Sequence, residues 1–209
     1  MRVLVVYCHP CADSFNAAVR DTALETLAEN GHEVHMLDLY GMGFDPVMHG
    51  DEWRRYGDKE ANLEPVYDRA RELLWAQAVV FIYPTWWYGL PAMLKGWLER
   101  VLVPGFAFEM PTATRGPRPK LRHIRKVLVM TTCGATPFMS WIMGQPGRRT
   151  LLRGFRSVCH PLCATKFLAL YRMDSVSPAQ RQTHLQRVRK TLATLGRARS
   201  FQSHTVPAD

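Results

Sequence analysis

"AVVFIYPTWWYGLPAMLKGW", residues 78–97, decides how this chain folds. Its first six residues, Ala78–Tyr83, have no polar face. A short, continuously apolar run of this kind predicts a strand covered on both sides, and such strands belong to parallel sheets with helices on each face. Three consecutive aromatics follow, Trp86, Trp87 and Tyr88, and a helix is expected over Leu90–Leu102 with Pro91 in its first turn.

The same strand-then-helix order recurs outward from this stretch. Arg2–Tyr7 is a buried strand, and Ser14–Asn30 is a helix in which Phe15, Ala18, Val19, Ala23 and Leu27 recur at helical spacing before the stop at Asn30-Gly31. Glu33–Leu39 is a second strand, Val66–Ala76 a helix, Val127–Thr131 a fourth strand, and a fifth lies near Thr165–Leu170. A loop and a helix separate the last two strands. Ser177 and Pro178 open a last helix that runs to about Leu195. Strands alternating with helices predict an α/β fold: a five-stranded, doubly wound parallel sheet of flavodoxin-like order with helices on both faces. Tyr40–Glu64 and Gly105–Arg125 are too long for plain connections and are candidate functional loops. Residues 1–196 form one domain, and 197–209 are expected to be a disordered tail.

The totals agree with one globular domain: 209 residues, 47% hydrophobic and 22% charged. No apolar run approaches the roughly 20 residues of a membrane helix, which excludes membrane insertion by that route. The amino terminus carries no cleavage-site pattern, so a cytoplasmic location is expected. Five cysteines is an odd number in a chain with room for a large core, so reduced thiols are expected rather than a disulfide framework. The net charge of +9 is densest in Arg115–Lys126 and Arg181–Arg199. Neither stretch interleaves base-stacking aromatics, so nucleic acid is set aside in favour of phosphate-bearing small molecules.

In such a sheet, ligands bind outside the carboxyl ends of the strands. Three segments fall there. Cys8–Asn16 opens a helix, whose N-terminus attracts phosphate; His9, Ser14 and Asn16 add donors. Asp13 opposes an anion, and either Asp13 or Ser14 also serves as an ordinary cap. Pro84–Gly89 places three aromatics at the mouth of the sheet, where they cover a flat ligand or a subunit interface. Thr131–Met139 supplies hydroxyls and, at Gly134, a backbone open to close approach. Neither a Gly-x-Gly-x-x-Gly turn nor a Walker-type loop is present.

Taken together, "HPCADSFN", "GFDPV", "YPTWWYGLPAMLKGWLERVLVPGFAF" and "TTCGA" resemble the NAD(P)H:quinone oxidoreductase family of flavoproteins, over about Arg2 to Leu195. The block Pro91–Trp97 is the most specific. The resemblance implies a homodimer holding a flavin, FAD in preference to FMN, that passes hydride from NAD(P)H to quinone-like acceptors. By position it puts His9, Phe15 and Asn16, beside Ser14, on the flavin's phosphate and ribityl side. It puts Pro84, Thr85, Trp86, Trp87 and Tyr88 against the isoalloxazine, and Thr131, Thr132, Cys133 and Gly134 along its other edge. Phe108, Met110 and Met139 are expected in the substrate pocket, the first two covering the neighbouring subunit's site. Mammalian members carry a Tyr and a His that settle charge on the reduced flavin; here Met139 and Gln145 stand in those places. No catalytic side chain is assigned, and Tyr88 and Gln145 are the candidates to assist. Arg115, Arg118 and Lys120 are candidates for selecting a 2′-phosphate.

Two other functions compete. Related family members are ancillary subunits of potassium-efflux systems, and the missing relay favours such a role. Cys8 and Cys11 instead suggest a dithiol oxidoreductase, with thiol pKa values lowered at a helix N-terminus. Cys159 and Cys163 make a second pair, but the topology puts the two pairs at opposite ends of the sheet, so no metal site is expected.

Overall fold

The structure, a computed structural model, describes residues 1–59 and 61–196. The stretch 197–209, expected to be a disordered tail, lies outside the described residues. In chain order the elements are β1 (Arg2–Tyr7), α1 (Phe15–Glu29), β2 (Glu33–Asp38), α2 (Gly50–Arg54), α3 (Tyr67–Ala70), α4 (Glu72–Trp75), β3 (Ala78–Thr85) and α5 (Ala92–Val101). There follow β4 (Phe108–Glu109), β5 (Arg118–Pro119), β6 (Lys126–Cys133), α6 (Pro137–Ile142), α7 (Pro146–Arg149), β7 (Ala164–Tyr171) and α8 (Pro178–Ala193).

The main sheet has the order β2-β1-β3-β6-β7, and every pairing in it is parallel. This is the doubly wound order expected from the sequence. Side chains alternate across the pleat. Val3, Val5, Tyr7, Ala78, Val80 and Ile82 pack with α1 and α8 on one face. Leu4, Val6, Val79, Phe81 and Tyr83 pack with α5 on the other. Phe81 meets both Trp97 and Phe155 edge-on, with centroids 6.3 and 5.1 Å apart. The two edge strands, β2 and β7, are only partly buried, because each has a neighbour on one side alone.

Four local expectations change. Val66–Ala76 is not one helix: a 3-10 turn at Glu64–Val66 leads into α3 and α4, and an i→i+3 bond from Leu74 N–H to Arg71 C=O (2.9 Å) tightens the chain between them. Pro91 has extended backbone (ψ 146°) and caps α5 rather than sitting in its first turn. Tyr40–Glu64, expected as an irregular stretch and candidate functional loop, is in part anchored, because Asp45, Pro46 and Glu52 contact α5. Gly96 lets the backbone of Pro46 lie against the helix, and the Arg100 guanidinium, with its side chain 8% exposed, donates to Asp45 C=O and pairs with Glu52. Gly105–Arg125 is also not wholly irregular, because β4 and β5 form an antiparallel ribbon within it.

Candidate active site

The carboxyl ends of β1, β3, β6 and β7 surround an open cleft of about 420 Å³. His9, Ser14, Phe15, Asn16, Pro84, Thr85, Trp86, Trp87, Thr132 and Gly134 line it, so ten of the expected cofactor residues meet in one place. Ser14 caps α1, its hydroxyl accepting from Ala17 N–H at 3.2 Å. The first N–H groups of such a helix have no partner within it and face an incoming ligand. His9 Nδ1 accepts from Cys11 N–H at 3.0 Å, which leaves the imidazole proton on Nε2 as a donor.

Asn16 shows most directly that the cleft is made for a polar guest. It is 3% exposed, and its Nδ2 donates to Thr132 Oγ1 at 2.9 Å. Among the described residues its Oδ1 is buried with no partner. A buried unmet acceptor costs about 1–3 kcal/mol, so a donor on the ligand is the natural complement.

The aromatic loop is a strained turn. Gly89 N–H donates to Trp86 C=O at 2.9 Å, and the two central residues, Trp87 and Tyr88, have φ of +48° and +63°. Both central residues are thus left-handed, as in a type I′ turn, where Asn and Gly are the usual occupants. Bulky residues held there cost about 1–3 kcal/mol each and mark functional sites. The turn presents Trp87 95% exposed beside the cleft.

Tyr88, Thr131 and Cys133 lie one layer deeper. They line a small cavity of about 20 Å³ with Thr85, Gln145 and Tyr171. Thr85 and Thr131 share a hydroxyl contact of 2.9 Å. Gln145 Nε2 donates to Tyr171 Oη at 3.3 Å, so a phenol accompanies this amide. Burial holds the Tyr171 and Tyr83 hydroxyls above the ordinary tyrosine range.

Some expected residues sit elsewhere. Met139 is on the outer face of α6, 40% exposed, and lines neither cavity. Phe108 and Met110 lie on and beside β4, away from this chain's cleft. Lys120 is bonded to Glu109 (3.2 Å) and to Gly105 C=O, while Arg115 and Arg118 lie outside the cleft.

Met173 and Asp174 complete the cleft and were not anticipated. A Cβ on Gly134 would lie 2.9 Å from Asp174 Oδ2, so this glycine is what lets the carboxylate approach. The available signal was their position just beyond the carboxyl end of the fifth strand. A larger groove of about 520 Å³ lies near the amino ends of β6 and β7, away from these loops.

The cysteines are not arranged as a dithiol centre at a helix N-terminus. Cys8 is fully buried, and burial pushes its thiol up to about 12, whereas Cys11 is exposed. Helix α1 begins only at Phe15. Thiolate is the reactive form, so Cys8 is inert at neutral pH. Cys159 and Cys163 are both buried near the amino end of β7, whereas Cys8 follows the carboxyl end of β1.

Comparison with known proteins places this geometry. The family described as having a flavodoxin-like fold matches residues 1–195. The rat protein named NAD(P)H dehydrogenase [quinone] 1 is 31% identical over 215 residues, covering 93% of this chain and 77% of the relative. The mouse ribosyldihydronicotinamide dehydrogenase [quinone] is 34% identical over 126 residues, 53% of this chain and 54% of its own length, so the match spans about half of that relative. The solved NAD(P)H:quinone oxidoreductase of Methanothermobacter marburgensis superposes with a TM-score of 0.79 at 29% identity, covering 93% of this chain and 96% of that one. No helix among the described residues is long and apolar enough to cross a membrane.

Proposed function

Since this chain belongs to the flavodoxin-like family of NAD(P)H:quinone oxidoreductases, we infer that it is a flavoprotein that carries two electrons from NAD(P)H to quinone-like acceptors. The observation that carries the reading is the cleft at the carboxyl ends, where a helix N-terminus, the unmet Asn16 acceptor and the aromatic turn converge. Bound there, FAD or FMN would supply hydride acceptance and donation, the chemistry no side chain performs.

The chain's own residues bind and orient. The α1 N-terminus and Ser14 hold the phosphate, His9 Nε2–H donates, and Asn16 Oδ1 takes a ribityl hydroxyl. Trp86, Trp87 and Tyr88 offer ring faces and backbone, and the Thr85–Thr131 pair fixes the floor. These residues hold flat reactants face to face and exclude water. Tyr88 and Gln145 assist, and the Tyr171 hydroxyl behind Gln145 is a further proton-bearing group. A homodimer fits the exposed Trp87 and Phe138 (95% and 66%), which ask for cover, with Phe108 and Met110 closing the neighbour's site. A cytoplasmic location fits this chemistry.

The test is the visible absorption spectrum of the purified protein, then anaerobic addition of NADPH. Flavin bands that bleach are expected. A protein colourless even after incubation with FAD and FMN refutes the reading. Met139 and Gln145 in the relay positions favour a flavin-bearing ancillary subunit of a membrane transport system; steady quinone-dependent NAD(P)H oxidation rejects it. Cys8→Ala with Cys11→Ser is expected to leave bleaching and turnover within about twofold of the parent, since Cys8 is buried as a thiol. Abolished turnover with flavin retained would restore the dithiol reading.

A further inference from the structure

Beside the inner cavity lies a second cleft, of about 310 Å³, whose lining shares only Gln145 and Arg148 with that cavity and nothing with the outer cleft. Arg148, Arg149 and Arg153 wall it together with Trp141, Gln145 and Thr165. The segment that builds it, "GQPGRRTLLRGFR" at residues 144–156, contains four arginines and no acid.

Among the described residues, none of the three wall arginines has a carboxylate within ion-pair distance: Arg148 Nη1 donates to Gln145 Oε1 at 2.8 Å, and its guanidinium lies 5.0 Å from the centre of the Phe167 ring. The arginines at 20, 55, 69, 71, 100 and 189 have acidic partners, whereas several others, such as Arg122 and Arg187, have none among the described residues; what sets these three apart is that they line one cleft. Three guanidinium groups lining one cleft concentrate positive charge there, and an oxyanion complements them with paired, charge-assisted hydrogen bonds.

The backbone makes room for this cluster. Gly144 and Gln145 both have positive φ, +76° and +48°. A Cβ on Gly144 would lie 3.3 Å from Arg149 Nη1, so the glycine lets that guanidinium lie against the turn. From Thr150 to Gly154 the chain makes a π-helical turn, a feature common at functional sites. Gln145 and Arg148 also wall the inner cavity shared with Thr85, Tyr88 and Thr131, so the two spaces adjoin.

We propose that this arginine cleft binds an oxyanion, phosphate or carboxylate, carried by one of the two substrates of the reaction inferred above. The inference rests on that reading for the identity of the carriers. The anion has two possible sources, the 2′-phosphate of NADPH or an acidic group on the acceptor, and the experiment separates them.

The variant is Arg149→Ala with Arg153→Ala in the holoenzyme; both side chains are exposed, and Arg148 with its Gln145 contact is kept. Calorimetric titration with inorganic pyrophosphate is expected to show binding in the parent and at least about a tenfold loss in the variant. A KM for NADPH that rises about tenfold while the KM for NADH holds assigns the site to the donor. A KM that rises for a carboxylated benzoquinone but not for its uncharged parent assigns it to the acceptor. Unchanged pyrophosphate binding, or lost binding with all four KM values within about twofold of the parent, overturns the proposal. Failure of the flavin reading shows separately, as absent flavin bands and absent turnover, with the pyrophosphate titration still readable.

Discussion

Arg100→Ala is expected to cost about 3–5 kcal/mol of unfolding free energy, read as a lowered urea midpoint. The side chains of Arg100 and Glu52 are only 8% and 10% exposed, and the guanidinium lies 5.4 Å from the centre of the Phe44 ring. Truncating the arginine leaves the mostly buried Glu52 carboxylate with only the His49 N–H (3.0 Å) among its described partners, and frees Asp45 C=O. The cost is that of an uncompensated buried charge, more than the net worth of the pair. The double change Arg100→Met with Glu52→Leu is therefore expected to recover most of the loss. A single variant within about 0.5 kcal/mol of the parent would show that the pair is solvated in solution.

Gly96→Ala is the second large effect, and its sign is the informative part. On an exposed helix this substitution gains roughly 1 kcal/mol. Here a Cβ would stand 2.1 Å from Pro46 O, 2.5 Å from Pro46 Cβ and 2.7 Å from the Pro46 carbonyl carbon. The obstacle is largely backbone, so no rotamer relieves it. Helix α5 and residues 40–49 must separate, at about 3 kcal/mol or more. Gly154→Ala is the control, because nothing lies within 4 Å of its would-be Cβ and its φ is −61°. Thermal unfolding of the two variants should move in opposite directions or leave Gly154→Ala unmoved; equal destabilisation would contradict the packing argument.

These two sites also explain the block of sequence that most strongly suggested the family. In Pro91–Trp97, Gly96 is there for close packing and Trp97 is fully buried in the core. The block is diagnostic because it shapes a joint between α5 and a long excursion. The proposed flavin contacts lie just before it, at Thr85–Tyr88.

Much of the site was legible because parallel sheets bring carboxyl-end loops together. Once β1, β3 and β6 were recognised, His9, Asn16, Trp86 and Thr132 had to be neighbours. Asp174 was not found because the fifth strand's carboxyl end was read only as far as Leu170. The burial of Cys8 weighs against the dithiol reading, and the sequence does not reveal it because adjacency in sequence does not tell whether a thiol is solvated; the end of β1 buries it.

The sequence by itself determined the five strands of the main sheet, their parallel arrangement and the end of the sheet where the candidate site lies. Each follows from short-range apolar patterning, which a local window records. Only the tertiary structure decided which polar groups lack partners and which charges converge. The unmet Asn16 Oδ1 beside Thr132, the approach of Asp174 to Gly134 and the seating of the 148–153 arginines against Thr165 and Phe167 all depend on distances between segments far apart in the chain. No local pattern encodes those distances, because packing sets them.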